Sequence, residues 1–153
     1  MRDELKALID RANQGQKPKR RRSSEEANLQ KACIRWFRLQ HPTLAPLLFS
    51  VPNGGSRDKR EAAELKRQGV VAGVADLILL KGSKDRRFSA LCVEVKAEVG
   101  RQSISQKEWE KYAKAHGNRY VVVRSVEEFI QVVNDHLWGI RPEVVQGKHQ
   151  EML

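Results

Sequence analysis

Two short apolar runs flanking a polar turn constrain this chain more than any other feature: GVADLILL at 73–80, GSKDRR at 82–87, and FSALCVEVKA at 88–97. The first run has the length and near-continuous apolarity of a strand buried on both faces. The second alternates, so Leu91, Val93, Val95 and Ala97 project one way while Cys92, Glu94 and Lys96 project the other. A hairpin turn centred near Asp85 opposes residues whose numbers sum to about 170, which sets Asp76 across from Glu94. Directly opposed residues lie roughly 5 Å apart on one face of a sheet. Lys96 projects from that face one period along, whereas a slip of one residue would send Asp76 to the other side.

The remaining elements follow from local signals. Ser23 and Glu26 form a Ser-x-x-Glu capping pattern, after which Leu29, Cys33, Trp36 and Phe37 recur at helical spacing until His41-Pro42. LLFSV at 47–51 reads as a short strand and PNGG at 52–55 as a turn, with Ser56 capping a charged helix that runs to Gln68 and stops at Gly69. Ser105 with Glu108 opens a helix carrying Trp109, Tyr112 and Ala113 and closing at Gly117, RYVVV at 119–123 is a strand, and Ser125 with Glu128 caps a last helix with Phe129, Val132, Val133 and Leu137 inside. This order predicts an α/β fold, a mixed four-stranded sheet flanked by helices whose middle strands form a hairpin. A domain at 23–138 is expected between a basic, flexible N-terminal tail at 1–22 and a C-terminal tail at 139–153.

Charge enters because it selects the partner. Of 153 residues, 29 are Lys or Arg and 19 Asp or Glu, a formal +10 that attracts polyanions and makes nucleic acid the leading partner. Residues 1–22 hold half of that excess, and KPKRRR at 17–22 reads equally as a phosphate-binding arm or as a solubilising tail. Cys33 and Cys92 sit far apart in apolar patterns, which fits buried reduced thiols, and His41, His116, His136 and His149 lack metal-ligand spacing and read as surface or helix-end residues. No apolar run approaches a membrane span and MRDELKALIDRANQ has no secretory pattern, so a cytoplasmic location is expected.

Asp76, Glu94 and Lys96 carry the chemistry. Two carboxylates this close repel one another unless a cation stands between them, and a hard divalent ion such as Mg2+ accepts such oxygens. A cation there polarises a phosphoryl oxygen and activates water, while Lys96 orients or deprotonates that water, which is phosphodiester hydrolysis. Glu-x-Lys is common on solvated strands; on a strongly apolar strand, opposite a strand whose one charge is Asp76, it points to function.

Asp76 followed by Glu94-Val95-Lys96 resembles the PD-(D/E)xK nuclease superfamily, with Ala75 in place of the proline. Glu26-x-x-Leu-Gln30, VPNGGSRDKREAAELKRQGVVAGVADL at 51–77, and Gln106 ahead of Trp109 are similar, in order, to the virus-type replication-repair nuclease (VRR-NUC) domain over about residues 24–134. The resemblance implies a restriction-endonuclease-like core and a Mg2+- or Mn2+-dependent DNA endonuclease. It implies metal ligation by Asp76, Glu94 and the Val95 carbonyl, with Glu26 a further candidate, and assistance from Gln106. Glu26 also reads as a plain capping residue and Gln106 as a polar residue at a helix start. Glu98 shares the site face but lies farther from Asp76 and is read as facing solvent or supporting the ligands from behind. Asn53, Gly54 and Gly55 suit a backbone approach to phosphate as well as a tight turn, and Arg57, Lys59, Arg60, Lys66 and Arg67 suit a DNA track as well as a solvated helix interleaved with Asp58, Glu61 and Glu64. Compact stand-alone relatives imply a homodimer acting on branched DNA or Holliday junctions. The alternatives are a non-catalytic nucleic-acid-binding accessory protein and a sequence-specific, restriction-like endonuclease, for which no base-reading module is evident.

Overall fold

Leu48–Ser50 (β1), Leu77–Leu79 (β2), Leu91–Val95 (β3) and Arg119–Val123 (β4) form one mixed sheet in that order in the computed structural model, which describes residues 19–52 and 58–139. β1 and β3 run antiparallel to β2, and β4 runs parallel to β3. The helices are Lys19–Gln40 (α1), Lys59–Arg67 (α2), Ile104–Ala115 (α3) and Val126–Trp138 (α4). α3 is the crossover that a parallel β3–β4 pair requires. Leu77 pairs with Val93, Ile78 with Cys92 and Leu79 with Leu91, the register expected from the alternation.

The period-2 pattern sorts side chains into two unequal layers. On one face Leu77, Leu79, Leu91, Val93, Val95 and Val123 pack against Cys33 and Phe37 of α1 and Phe129, Val133 and Leu137 of α4. On the other, Ala75, Cys92 and Tyr120 form a small cluster with Ile78, Val122 and Trp109 of α3. Glu94 and Lys96 belong by parity to this thinner layer, as Asp76 does. Both cysteines are buried and free. His136, expected at the surface or at a helix end, lies in the last turn of α4 and is fully buried, with Nε2 2.7 Å from the Lys81 carbonyl and its pKa lowered by burial. Among the described residues no helix is long and apolar enough to cross a membrane.

Several boundaries differ from expectation. α1 starts at Lys19, so Ser23 lies inside the helix and is not its cap; Lys and Arg are good helix formers, and a capping pattern does not stop a helix that such residues extend. α2 is capped by Asp58, which accepts from Glu61 N at 2.7 Å, two residues beyond Ser56. α3 is capped by Ser103 in a full capping box with Gln106, not by Ser105 with Glu108. α4 does start at Ser125, which accepts from the Glu128 amide, and ends at Gly139 with φ +68°.

The hairpin strands are shorter than 73–80 and 88–97 because their site-proximal end leaves regular pairing. The Val95 amide donates to Asp76 Oδ2 at 2.8 Å, a side-chain acceptor in place of a ladder carbonyl, while the Asp76 carbonyl accepts from Val51 N. Gly73, three residues earlier, has φ +84°, and a Cβ there would fall 2.2 Å from the Ser105 carbonyl oxygen. The segment leading to Asp76 thus lies against the start of α3, and only glycine meets both demands. Gly73→Ala combines a left-handed penalty with backbone overlap and is expected to cost at least about 2 kcal/mol in denaturant unfolding. A loss below about 0.5 kcal/mol would mean that the close approach to Ser105 is not held in solution.

Candidate active site

Glu94 has no exposed surface, although it carries a carboxyl group on a sheet of modest size. Its Oε1 accepts from Gln106 Nε2 at 2.6 Å and lies 3.2 Å from Lys96 Nζ, and its Oε2 faces the Tyr120 hydroxyl at 3.5 Å. Lys96 is itself buried, and its backbone extends the β4 pairing by donating to the Val123 carbonyl at 3.0 Å. The register that opposes Leu77 to Val93 brings Asp76 to the same place from the neighbouring strand.

Burial dominates the electrostatics. Removal from water pushes the Glu94 carboxyl up to about 7, and the adjacent Asp76 charge adds to the rise while Lys96 opposes it. Asp76 is also raised, first by burial, against the lowering effects of the Val95 amide and Lys96. Two acids and one ammonium leave an excess of negative charge in a poorly solvated place.

Gln106 has two tasks. Its Oε1 accepts from the Ser103 amide at 2.8 Å, closing the capping box, while its Nε2 reaches Glu94. The start of α3 is therefore tied to the buried carboxylate by one side chain. Glu26 arrives from α1, its Oε1 accepting from the Ala97 amide at 3.3 Å, one residue past Lys96. The turn beyond is clamped by Arg124, whose Nη1 donates to the carbonyls of Ala97 and Gly100 at 2.7 Å and of Glu98 at 3.2 Å.

Asp76, Glu94, Lys96, Gln106 and Glu26 are thus gathered at the end of β3, with Val95 joined through its amide. Glu98 is exposed, as expected. Arg60 and Lys66 lie exposed on α2, which buries no residue. Asn53, Gly54, Gly55 and Arg57 lie outside the described residues. Sequence reasoning missed Tyr120, Gln102 and Arg124. Tyr120 is buried with its hydroxyl accepting from Gln102 Nε2 at 3.1 Å and its ring against Trp109, so it walls Glu94 from water. No local pattern marks it, because its parity on β4 becomes meaningful only once Cys92 is known to pair with Tyr120.

The sequence profile of the VRR-NUC domain matches residues 24–127, which span all five gathered side chains. A solved structure described as a VRR_NUC domain protein is similar in fold, with 24% identity over 72% of this chain and 86% of its own and a TM-score of 0.62. No curated protein shows significant similarity to the chain.

The raised Glu94 pKa has a sign that can be measured. Because folding favours the protonated form, its stabilising contribution is complete below the ordinary value of 4.5 and is lost as pH rises through about 7. In chelator, Glu94→Gln removes that loss, so its stability relative to wild type should be greater at pH 8 than at pH 5.5, by about 1–3 kcal/mol. The comparison of the two proteins cancels the opposite drift expected from His41 and His136, whose pKa values burial lowers. A pH-independent difference would contradict the burial assigned to Glu94.

Proposed function

The chain belongs to the VRR-NUC family, a nuclease-type family, and from that premise we propose that it hydrolyses DNA phosphodiester bonds with Mg2+ or Mn2+ held by Asp76 and Glu94. The observation that carries this is the buried Glu94 carboxyl beside the half-buried Asp76 carboxyl, both pushed up, with the Lys96 ammonium against Glu94. The donor set fits the ion. It is all oxygen, and among the described residues no group of three or more His, Cys, Asp or Glu side chains is placed to hold a metal. Mg2+ suits such a site because it takes one or two carboxylates and fills its remaining positions with water and substrate phosphate. The Val95 carbonyl is a further ligand in this proposal, and Glu26 stands beyond it at the Ala97 amide.

When bound, the ion supplies positive charge against the negative charge that develops on the scissile phosphate. Lys96 supplies the rest. With Nζ beside Glu94 Oε1, it keeps further N–H donors for the attacking water and a phosphoryl oxygen. Gln106 holds the Glu94 carboxylate in one orientation by donating to Oε1, so that oxygen is positioned before substrate arrives. Tyr120 and Trp109 exclude water from the rear of the site. Branched DNA, including Holliday junctions, is the substrate proposed, with a homodimer whose two symmetric sites cut two strands; both rest on the resemblance to compact stand-alone relatives.

Asp76→Asn and Glu94→Gln should abolish divalent-ion binding and cleavage while leaving DNA binding unchanged or tighter, since negative charge facing phosphate is removed. Lys96→Ala should keep the ion and lose about 10²- to 10⁴-fold in rate. Linear, flap and four-way-junction DNA with Mg2+ or Mn2+ form the assay panel. Wild-type cleavage by folded Asp76→Asn and Glu94→Gln proteins would refute the site, and equal cleavage of linear duplex would refute the preference for branches.

A further inference from the structure

α1 is the most cationic element of the fold. Residues 19–40 carry seven Lys or Arg against two Glu, and one of those acids, Glu26, is turned to the Ala97 amide at the site. Lys31, Arg35 and Arg38 are all exposed, and at 100° per residue they fall within an arc of about 60°, on the opposite side from the buried Cys33 and Phe37. Among the described residues none of the three makes an ion pair. With Ile34 and Leu39, the latter 70% exposed, they line a shallow groove of about 370 Å³. α2, where sequence reading sought the DNA track, differs: Glu64 pairs with Arg67 at 2.7 Å and Glu61 stands in the first turn.

We propose that the outer face of α1, through Lys31, Arg35 and Arg38, is a phosphate-binding track that anchors nucleic acid on the side of the helix away from Glu26. The partner's identity rests on the nuclease reading; the track itself is an electrostatic surface. Arg35 and Arg38 stand about 6 Å and 10 Å from Lys31 along the helix axis, matching the advance of a strand over roughly two to three nucleotides at ~3.4 Å each. Long side chains reach phosphates at that spacing without deforming the helix, and the apolar pair flanking them gives the sugar edge a dry surface. Glu26, which reaches the end of β3, lies on the opposite side of the same helix, so the track holds nucleic acid apart from the reacting groups. The helical backbone also runs through Lys19–Arg22, which joins the KRRR block directly to the track.

The test reads binding in chelator, so it stands apart from cleavage. A fluorescent duplex of about 20 base pairs is titrated with the whole protein across a salt series, comparing wild type with the triple variant Lys31→Gln, Arg35→Gln, Arg38→Gln. A second triple variant, Lys59→Gln, Arg60→Gln, Lys66→Gln, serves as comparator. Glutamine preserves helix propensity, and circular dichroism checks folding. The α1 variant should lose at least about tenfold in affinity near 0.1 M salt, and its log–log salt slope should flatten by about 2 to 3, near 0.9 for each phosphate that is no longer neutralised. The α2 variant should change the slope by less than about one. An unchanged slope in the α1 variant, or a larger loss in the α2 variant, would overturn the proposal. So would a loss of binding to phosphatidylserine vesicles with DNA binding intact, which would make the face a membrane-binding surface. If wild type binds DNA through α1 yet cleaves nothing, the track stands and the nuclease reading fails.

Discussion

Burial of Glu94 is the constraint on which the rest of the site depends. A carboxyl group with no exposed surface is unfavourable unless its oxygens are engaged, and here Oε1 takes Gln106 Nε2 and the Lys96 ammonium while Oε2 faces the Tyr120 hydroxyl. Each partner comes from a different part of the fold: α3, the end of β3 itself, and β4. The Asp76 carboxylate, from the segment entering β2, is satisfied by the Val95 amide. Misplacing any of these elements would strand a polar group in the thinner layer of the fold, so the hydrogen bonds of the site also fix the relative placement of the sheet and α3.

Packing and chemistry are divided between the two faces of the sheet. The face toward α1 and α4 holds the large apolar cluster and carries most of the hydrophobic stabilisation. The face toward α3 holds few apolar groups, which leaves room for the polar ones. β3 serves both because alternate residues point to opposite layers, Leu91, Val93 and Val95 inward and Cys92, Glu94 and Lys96 toward the site. The proposed cation would complete the arrangement by offsetting the charge that Lys96 alone leaves unbalanced.

Much of this was legible in the sequence, for identifiable reasons. The hairpin register was readable because the alternation of FSALCVEVKA and a short polar turn favour the pairing that puts Leu77, Leu79, Leu91 and Val93 together in the core; Leu77 opposite Val93 follows, and with it the meeting of Asp76 and Glu94. Helix existence was equally readable, while helix starts were not. Ser103-x-x-Gln106 and Ser105-x-x-Glu108 both satisfy the capping rule, and the choice was made by Glu94, which draws Gln106 inward and thereby fixes the N3 position. At Ser23 the pattern was overridden by the helix-forming Lys19–Arg22 block. Tyr120, Gln102 and Arg124 were illegible because their roles arise across strand pairs and turns far apart in the chain. The close approach of Gly73 to Ser105 was hidden for the same reason.

The space between Asp76 and Glu94 is proposed as a divalent-cation site. The decisive measurement is anomalous diffraction from crystals soaked in Mn2+ near pH 8, above the value of about 7 to which burial pushes Glu94. An anomalous peak should appear within coordination distance of Asp76 and Glu94 oxygens and vanish in Asp76→Asn crystals. Full Mn2+ occupancy elsewhere on the molecule, with no peak between these two carboxylates, would contradict it.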